Sequence, residues 1–456
     1  MSTEARSERA SDRLSARAVA LYAVGSVGTG GYATLPGLVL TYFLTDNLGV
    51  AALAAGAIVT IAKVWDVVID PVIGAASDRQ LARTGSRRGF MIAGAVSLPV
   101  FFALTFAVPP TWGPAAGAVS VLLAFLATAT AFSLFQVPYV ALPAELTASY
   151  DERTRLLGWR VVVLTAAILL FGAGGPELRR AGPDQVTGYL VMGIVAGLAI
   201  GIGMLIASRT ASAAARTRDQ AHPLPPVGLR EQYASGVRAL RRSQPFRSLL
   251  TTFLLQALAT GTMLAGAQYV ATWVLRSEAA VTLLFLALVG PALLATPAWT
   301  AVARRIGKER AFANASVLFL LAAASITVAV WWPGTWIYAS VAVAGIAYAG
   351  LQSLPMAMLP DVISHDERQH GGGQAGTFTG VWTAGETIGF ALGAGIVSLT
   401  LAATGYVSTV AGVASAQPHA AITGIVLSFS VLPAALILLS LVALRRYRLR
   451  RADIDA

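Results

Sequence analysis

Lys63, Asp66 and Asp70 lie three and four residues apart inside an apolar run. That spacing stacks side chains on one face of a helix. An ionised group at the centre of a bilayer costs about 2.5–3.5 kcal/mol on insertion scales. Two carboxylates one turn apart also repel, and one lysine neutralises only one of them. The remaining negative charge calls for a bound Na+ or a proton. Pro71 follows directly and has no N–H to offer the carbonyl of Val67, which adds an oxygen near the carboxylates. The same residues also suit a structural role, with Lys63 and Asp66 as an internal ion pair and Asp70 capped by a hydroxyl from another helix. Only the first arrangement makes the protein respond to Na+ or pH.

Other polar groups interrupt apolar runs. Gln136 stands two residues before Pro138, which frees the carbonyl of Leu134. A glutamine beside a broken helix can bind a polar solute or hold two helices together. Arg160 lies at the start of a later run. It can meet a solute hydroxyl or carboxylate, pair with Asp66 or Asp70, or reach for the membrane edge. Glu386 sits beside Trp382, Thr383 and Thr387, either as a protonatable carboxylate or as the partner of an arginine. Trp159 and Trp382 suit stacking on a sugar ring, or anchoring at a membrane interface. Gln256, Gln268, Tyr269 and Gln352 are weaker candidates of the same kind. The chain has no cysteine, its four histidines do not fall at metal-ligand spacing, and its glycine clusters lie in apolar runs rather than in a phosphate loop. No nucleophile–base constellation is evident. An enzyme is therefore not expected, nor a cofactor beyond the coupling ion.

Positioning these groups falls to the apolar runs. The chain has 456 residues, 56% hydrophobic and 12% charged, against about 25% charged in soluble domains. Runs of bilayer-crossing length fall at approximately 18–44, 51–76, 89–109, 115–142, 157–175 and 187–208, then at 248–275, 279–302, 311–332, 335–360, 374–403 and 421–444. The expected division is a tail at 1–17, a six-helix bundle at 18–208, a linker at 209–247, a second bundle at 248–444 and a tail at 445–456. The net charge of +11 is nearly all arginine, the only lysines being Lys63 and Lys308. These charges sit in alternate loops, so nucleic-acid binding is not expected. By the positive-inside rule both termini and the linker are cytoplasmic. The polar first residues lack the apolar core of a cleavable signal. Basic turns with a central glycine, SDRQLARTGSRRGF and ARRIGKERAF, follow the second and eighth runs, as in a duplicated six-helix unit.

The stretch GAASDRQLARTGSRRG at 74–89 resembles the loop signature of the major facilitator superfamily. Four further stretches narrow the resemblance: TYFLTDNLGV at 41–50, WDVVIDPVIGAASD at 65–78, VPYVALPAELTASYDERTRLLGWR at 137–160 and LPMAMLPDVISHDERQHGGGQAG at 354–376. Together they resemble the glycoside–pentoside–hexuronide:cation symporter family. The resemblance implies an all-α membrane fold of twelve helices in two pseudo-symmetric six-helix bundles. It implies Na+- or H+-coupled symport of a sugar or glycoside-like solute by alternating access. Asp66 and Asp70 would bind the cation, helped by Ser133, with Lys63 as charge partner. Gln136, Arg160, Trp382, Thr383 and Glu386 would meet the solute. Asp78, Arg79, Arg87 and Arg88 would form a cytoplasmic gate. The family holds its sugar with acids in helices one and four, where this chain has Gly30 and Gln136. Its lysine in the eleventh run gives way here to Glu386 or Thr387. An amphiphile such as a lysophospholipid is the alternative cargo, and a non-transporting membrane sensor the alternative function. The partners expected are the solute, a monovalent cation and the lipid bilayer, for a monomer in a bacterial inner membrane.

Overall fold

The structure, a computed structural model, describes residues 14–147, 150–211, 238, 240–370, 375–413 and 416–449. Most of the expected tails and much of the 209–247 linker lie outside the described residues.

Uninterrupted apolar sequence becomes helix because a backbone in lipid must satisfy its own polar groups. The helices in chain order are α1 (Ala16–Val24), α2 (Ser26–Tyr42), α3 (Ala52–Thr84), α4 (Arg88–Phe106), α5 (Pro114–Leu146), α6 (Tyr150–Arg180) and α7 (Gln185–Ala207). They continue as α8 (Gln244–Tyr269), α9 (Ala280–Ile306), α10 (Lys308–Ser325), α11 (Ile337–His370), α12 (Ala375–Ala403), α13 (His419–Phe429) and α14 (Val431–Leu444). Among the described residues, eleven helical stretches are long and apolar enough to cross a bilayer. The run expected at 18–44 is not one of them; its helix is interrupted at Gly25, between α1 and α2. Eleven of the twelve expected spans are therefore long and apolar enough to cross, and the first and the last each form in two pieces. Polar caps set several starts: Ser15 accepts from Ala18 N, and Asp184 from Thr187 N.

The chain divides into two compact units: residues 1–36 with 64–226, and residues 37–63 with 227–456. The expected boundary at 209–247 did not anticipate that 37–63, the end of α2 and the start of α3, groups with the later helices. In the first unit α4 packs on α5 and α7; in the second, α10 packs on α11 and α14. In each half, then, the third span packs on the fourth and the sixth, which is the packing a duplication leaves.

The second unit also holds a duplicated turn. The π-helical segments Phe43–Asn47 and Val270–Val274 extend α2 and α8. Val50 N donates to Leu44 O and Ser277 N to Ala271 O, each at 2.9 Å. The residues one before these donors, Gly49 at φ +67° and Arg276 at φ +52°, both adopt the left-handed conformation. That conformation costs a non-glycine residue roughly 1–2 kcal/mol.

Candidate functional site

Asp66 lies on α3 at 8% exposure, and Asp70 one turn on is half-buried. The helix continues through Pro71 to Thr84. Trp65, beside Asp66, donates its Nε1 to Thr130 Oγ1 at 2.9 Å and so ties α3 to α5 one turn before Ser133. Ser133 is buried at 2%. Its neighbour Phe132 stacks on Tyr32 of α2, ring centroids 4.1 Å apart. The Tyr32 phenol is itself buried and within electrostatic reach of both Asp66 and Asp70. Within the first unit, therefore, the two acids, Tyr32 and the Ser133 turn gather around one place. Tyr32 was not legible as a site residue, because a tyrosine in an apolar run looks like core. Lys63, half-buried on the same helix, falls just across the division between the units. Among the described residues no group of three or more His, Asp or Glu side chains could hold a metal ion. The two acids thus stand as a pair, with hydroxyl-bearing neighbours, which suits a proton or a monovalent cation.

One turn before Tyr32 on α2, Thr29 donates its hydroxyl to Gln136 Oε1 at 2.8 Å. A second rung runs parallel to it: Ser26 Oγ and Tyr139 OH lie 3.0 Å apart. Ser26 and Thr29 share one face of α2, and Gln136 and Tyr139 share one face of α5. Tyr139 OH also donates to Tyr22 O at 2.9 Å, and its ring stacks between Tyr22 and Phe135. Arg160 of α6 places its guanidinium 5.6 Å from the centre of that ring, a cation–π contact. The guanidinium is also within hydrogen-bond reach of the Tyr139 hydroxyl. Its Nε is buried without a hydrogen-bond partner.

Gly30, where the resemblance expects an acid, is a packing residue. A Cβ there would come within 2.8 Å of Ala167 Cβ and 3.0 Å of Leu164 O on α6. The close approach of α2 and α6 admits no side chain at this position, so the departure from the family pattern is built into the helix packing.

In the second unit, Glu386 is half-buried on α12 and within electrostatic reach of Tyr348, whose hydroxyl accepts from Gln352 Nε2 at 2.6 Å. Thr383 is exposed and its hydroxyl donates to Thr379 O. Trp382 differs from its expected role. It is 1% exposed and stacked on Phe253 at 4.2 Å, so its ring packs the unit rather than offering a face to a solute. Trp159 is 54% exposed. Gln256 is a buried tether, donating to Ser316 and Ser440.

Of the four expected gate residues, two come together. Arg87 bonds Asp78 at 2.5 Å, Ser77 at 2.8 Å and Glu145 at 2.6 Å. Arg88 is exposed, and Arg79 lines a cavity of about 370 Å³ with Gln80, Arg83 and Phe90. That cavity lies at the far end of α3 from Asp66 and is not the place where the acids gather. Glu145 was missed although its counterpart recurs: Lys308 bonds Asp361 at 2.6 Å at the matching position of the second unit. The signal was the doubled pattern of two prolines five apart, then an acid, at Pro138–Glu145 and Pro355–Asp361.

Comparison with known proteins places these observations. A family described as MFS/sugar transport protein matches residues 21–451. An uncharacterized symporter of Synechocystis sp. is 25% identical, over 94% of this chain and 94% of that one. A glucuronide carrier protein homolog of Escherichia coli is 25% identical, over 96% of this chain and 93% of its own. Among solved structures, the xylose transporter XylE from Escherichia coli, in a partially occluded inward-open conformation, aligns with a TM-score of 0.61 at 12% identity, over 96% of this chain and 98% of that one. The last of these shows the fold alone.

Proposed function

The chain belongs to the MFS/sugar transport protein family, and on that premise we propose that it couples the movement of a glycoside-like solute to a monovalent cation held by Asp66 and Asp70. The protein is a multi-pass membrane transporter of the symporter kind and not an enzyme. The single observation that carries the finer reading is the arrangement of α2. Tyr32, within electrostatic reach of the two acids, and Thr29, bonded to Gln136, are three residues apart on one helix. A change of charge at the acids acts on Tyr32, and a shift of α2 moves Thr29 and with it the Gln136 amide. Occupation of the acid pair by Na+ or H+ lowers the mutual repulsion of the two carboxylates. It thereby favours the α2 position in which Gln136 and Arg160 meet the solute.

In the second unit, Glu386 lies within electrostatic reach of Tyr348, and Thr383 lies one turn before it on α12. The basic loops support cytoplasmic termini in a bacterial inner membrane, and a monomer suffices for this mechanism. The name of the glucuronide carrier homolog supports a sugar derivative as cargo.

The test is uptake of a panel of radiolabelled sugars and sugar acids into proteoliposomes, with and without an imposed Na+ or pH gradient. Accumulation above equilibrium in one gradient is the expected result. Uptake that never exceeds equilibrium in either gradient would contradict coupling.

A further inference from the structure

We propose that Glu386 is a proton-binding site of its own, in the second unit, which takes and releases a proton in each transport cycle in addition to whichever ion Asp66 and Asp70 hold. This deepens the proposed coupled transport and rests on it.

Glu386 is the single charged residue of the 27-residue span Thr377–Ala403 and stands well inside it. It is half-buried and, among the described residues, forms neither an ion pair nor a hydrogen bond. The face of α8 that packs on this turn of α12 is apolar. Trp382 stacks on Phe253, a Cβ at Gly385 would meet Leu250 Cδ1 at 3.2 Å, and one at Gly389 would meet Ala257 Cβ at 2.7 Å. The Tyr348 phenol of α11 lies within electrostatic reach of Glu386. Its oxygen accepts from Gln352 Nε2 at 2.6 Å, which leaves its own proton to donate.

The other titratable groups of the neighbouring elements have different settings. Those of α8 are Arg247 and Tyr269, near its two ends. Arg247 donates to Leu240 O and Arg241 O, and Tyr269 OH lies 2.7 Å from Thr45 Oγ1. On α13 His419 is the first residue, beside Thr423. Beyond Tyr348, α11 carries Tyr338 near its start and the Asp361–His370 stretch at its end, where Asp361 pairs with Lys308 and Asp366 with Arg242. The start of α3 meets α12 where Thr60 faces Gly395, and Lys63 follows one turn on.

An ionised carboxylate without a counter-charge is expensive in such a span. A hard metal cation would relieve it only with a shell of several oxygens, and the apolar side chains of α8 supply none. A proton needs the carboxylate alone. With the proton on, Glu386 is a neutral acid that the apolar packing tolerates. With the proton off, the Tyr348 hydroxyl steadies the carboxylate, and the uncompensated charge draws the next proton. The proton enters from water on one side of the membrane and leaves to water on the other.

The test is labelling of the purified full-length protein with dicyclohexylcarbodiimide, which attacks protonated carboxyls in apolar surroundings, read by peptide mass spectrometry. At neutral pH Glu386 is expected to be labelled, whereas Glu177, half-exposed and paired with Arg180, is not. Labelling of Glu386 should persist in Asp66→Asn and Asp70→Asn, and should fall by about tenfold per pH unit once the site titrates. In proteoliposomes, Glu386→Gln is expected to reduce pH-gradient stimulation of sugar uptake by about tenfold or more, and Glu386→Asp to restore part of it. If Glu386→Gln does not fold, the labelling of wild type decides. No label on Glu386, label that does not change with pH, or wild-type stimulation in Glu386→Gln overturns the inference. Sugar accumulation without label on Glu386 ends this inference and leaves the transport reading standing. Label without accumulation in either gradient ends both, since a proton site that drives no uptake is not the one proposed.

Discussion

The Tyr406 hydroxyl donates to Asp46 Oδ1 at 2.6 Å, joining the end of the first span to the segment after α12. Thr45 Oγ1 donates to Asp46 Oδ2 at 2.5 Å and lies 2.7 Å from Tyr269 OH, while Trp273 donates to Tyr406 at 2.8 Å. Two backbone bonds, Thr409 N to Thr45 O and Ala411 N to Asn47 O, run alongside. Asp46 is 7% exposed, so this carboxylate depends on the hydroxyls around it.

Tyr406→Phe is therefore expected to destabilise the second unit by about 1.5–3 kcal/mol, the range for a buried hydrogen bond to a charged acceptor. Burial and the adjacent Asp46 push the Tyr406 phenol well above its ordinary range. A raised value means that the stabilisation is complete below the unfolded value, near pH 10, and declines as pH rises beyond it. Thermal unfolding of wild type and Tyr406→Phe should differ at neutral pH and converge above about pH 10. Parallel curves at every pH would contradict this account of the bond.

Arg87 separates two kinds of ion pair. Its side chain is 10% exposed and Glu145 is 16% exposed, whereas Asp78 is 56% exposed. Removing the shared cation by Arg87→Ala takes a charged partner from the partly buried Glu145 and frees Ser77 and Asp78 as well, and should cost about 2–3 kcal/mol. Asp78→Ala removes only a solvent-screened partner and should stay within about 1 kcal/mol. Melting temperatures of the two variants in one detergent decide the order. Equal losses would show that Asp78 is held more firmly than its exposure indicates.

Arg276 occupies the left-handed position that Gly49 fills in the matching turn. Arg276→Gly should stabilise the protein by about 0.5–1 kcal/mol, since relief of strain outweighs the added freedom of the unfolded chain. A lowered melting temperature would mean that the arginine side chain makes a contact worth more than the strain.

How much of this was legible before the structure depends on what kind of signal each feature leaves. Apolar runs announced the spans, because a bilayer demands length and hydropathy that no other environment does. The break at Gly25 was not announced, since glycine is also common in unbroken membrane helices. Asp66 and Asp70 stood out because carboxylates in apolar runs are expensive. Tyr32, Thr29 and Tyr139 did not, because hydroxyls and phenols are tolerated there without a partner being named. Trp382 misled for the same reason in reverse: its amphipathic ring suits a sugar face or a core equally well, and only the stacking on Phe253 separates the two. Gly30 was visible as a departure from a family pattern, but its cause, the approach of α6, is a long-range contact with no local trace.

The central claim is that Asp66 and Asp70 hold the coupling cation, and ion-stimulated solute uptake by Asp66→Asn and Asp70→Asn proteoliposomes tests it most directly. Stimulation by Na+ and by a pH gradient should be measured on wild type and both variants, with monodispersity in detergent as the control for folding. Both variants are expected to fold and to lose the stimulation shown by the wild type, by about tenfold or more. Stimulation at the wild-type level in both would contradict the assignment.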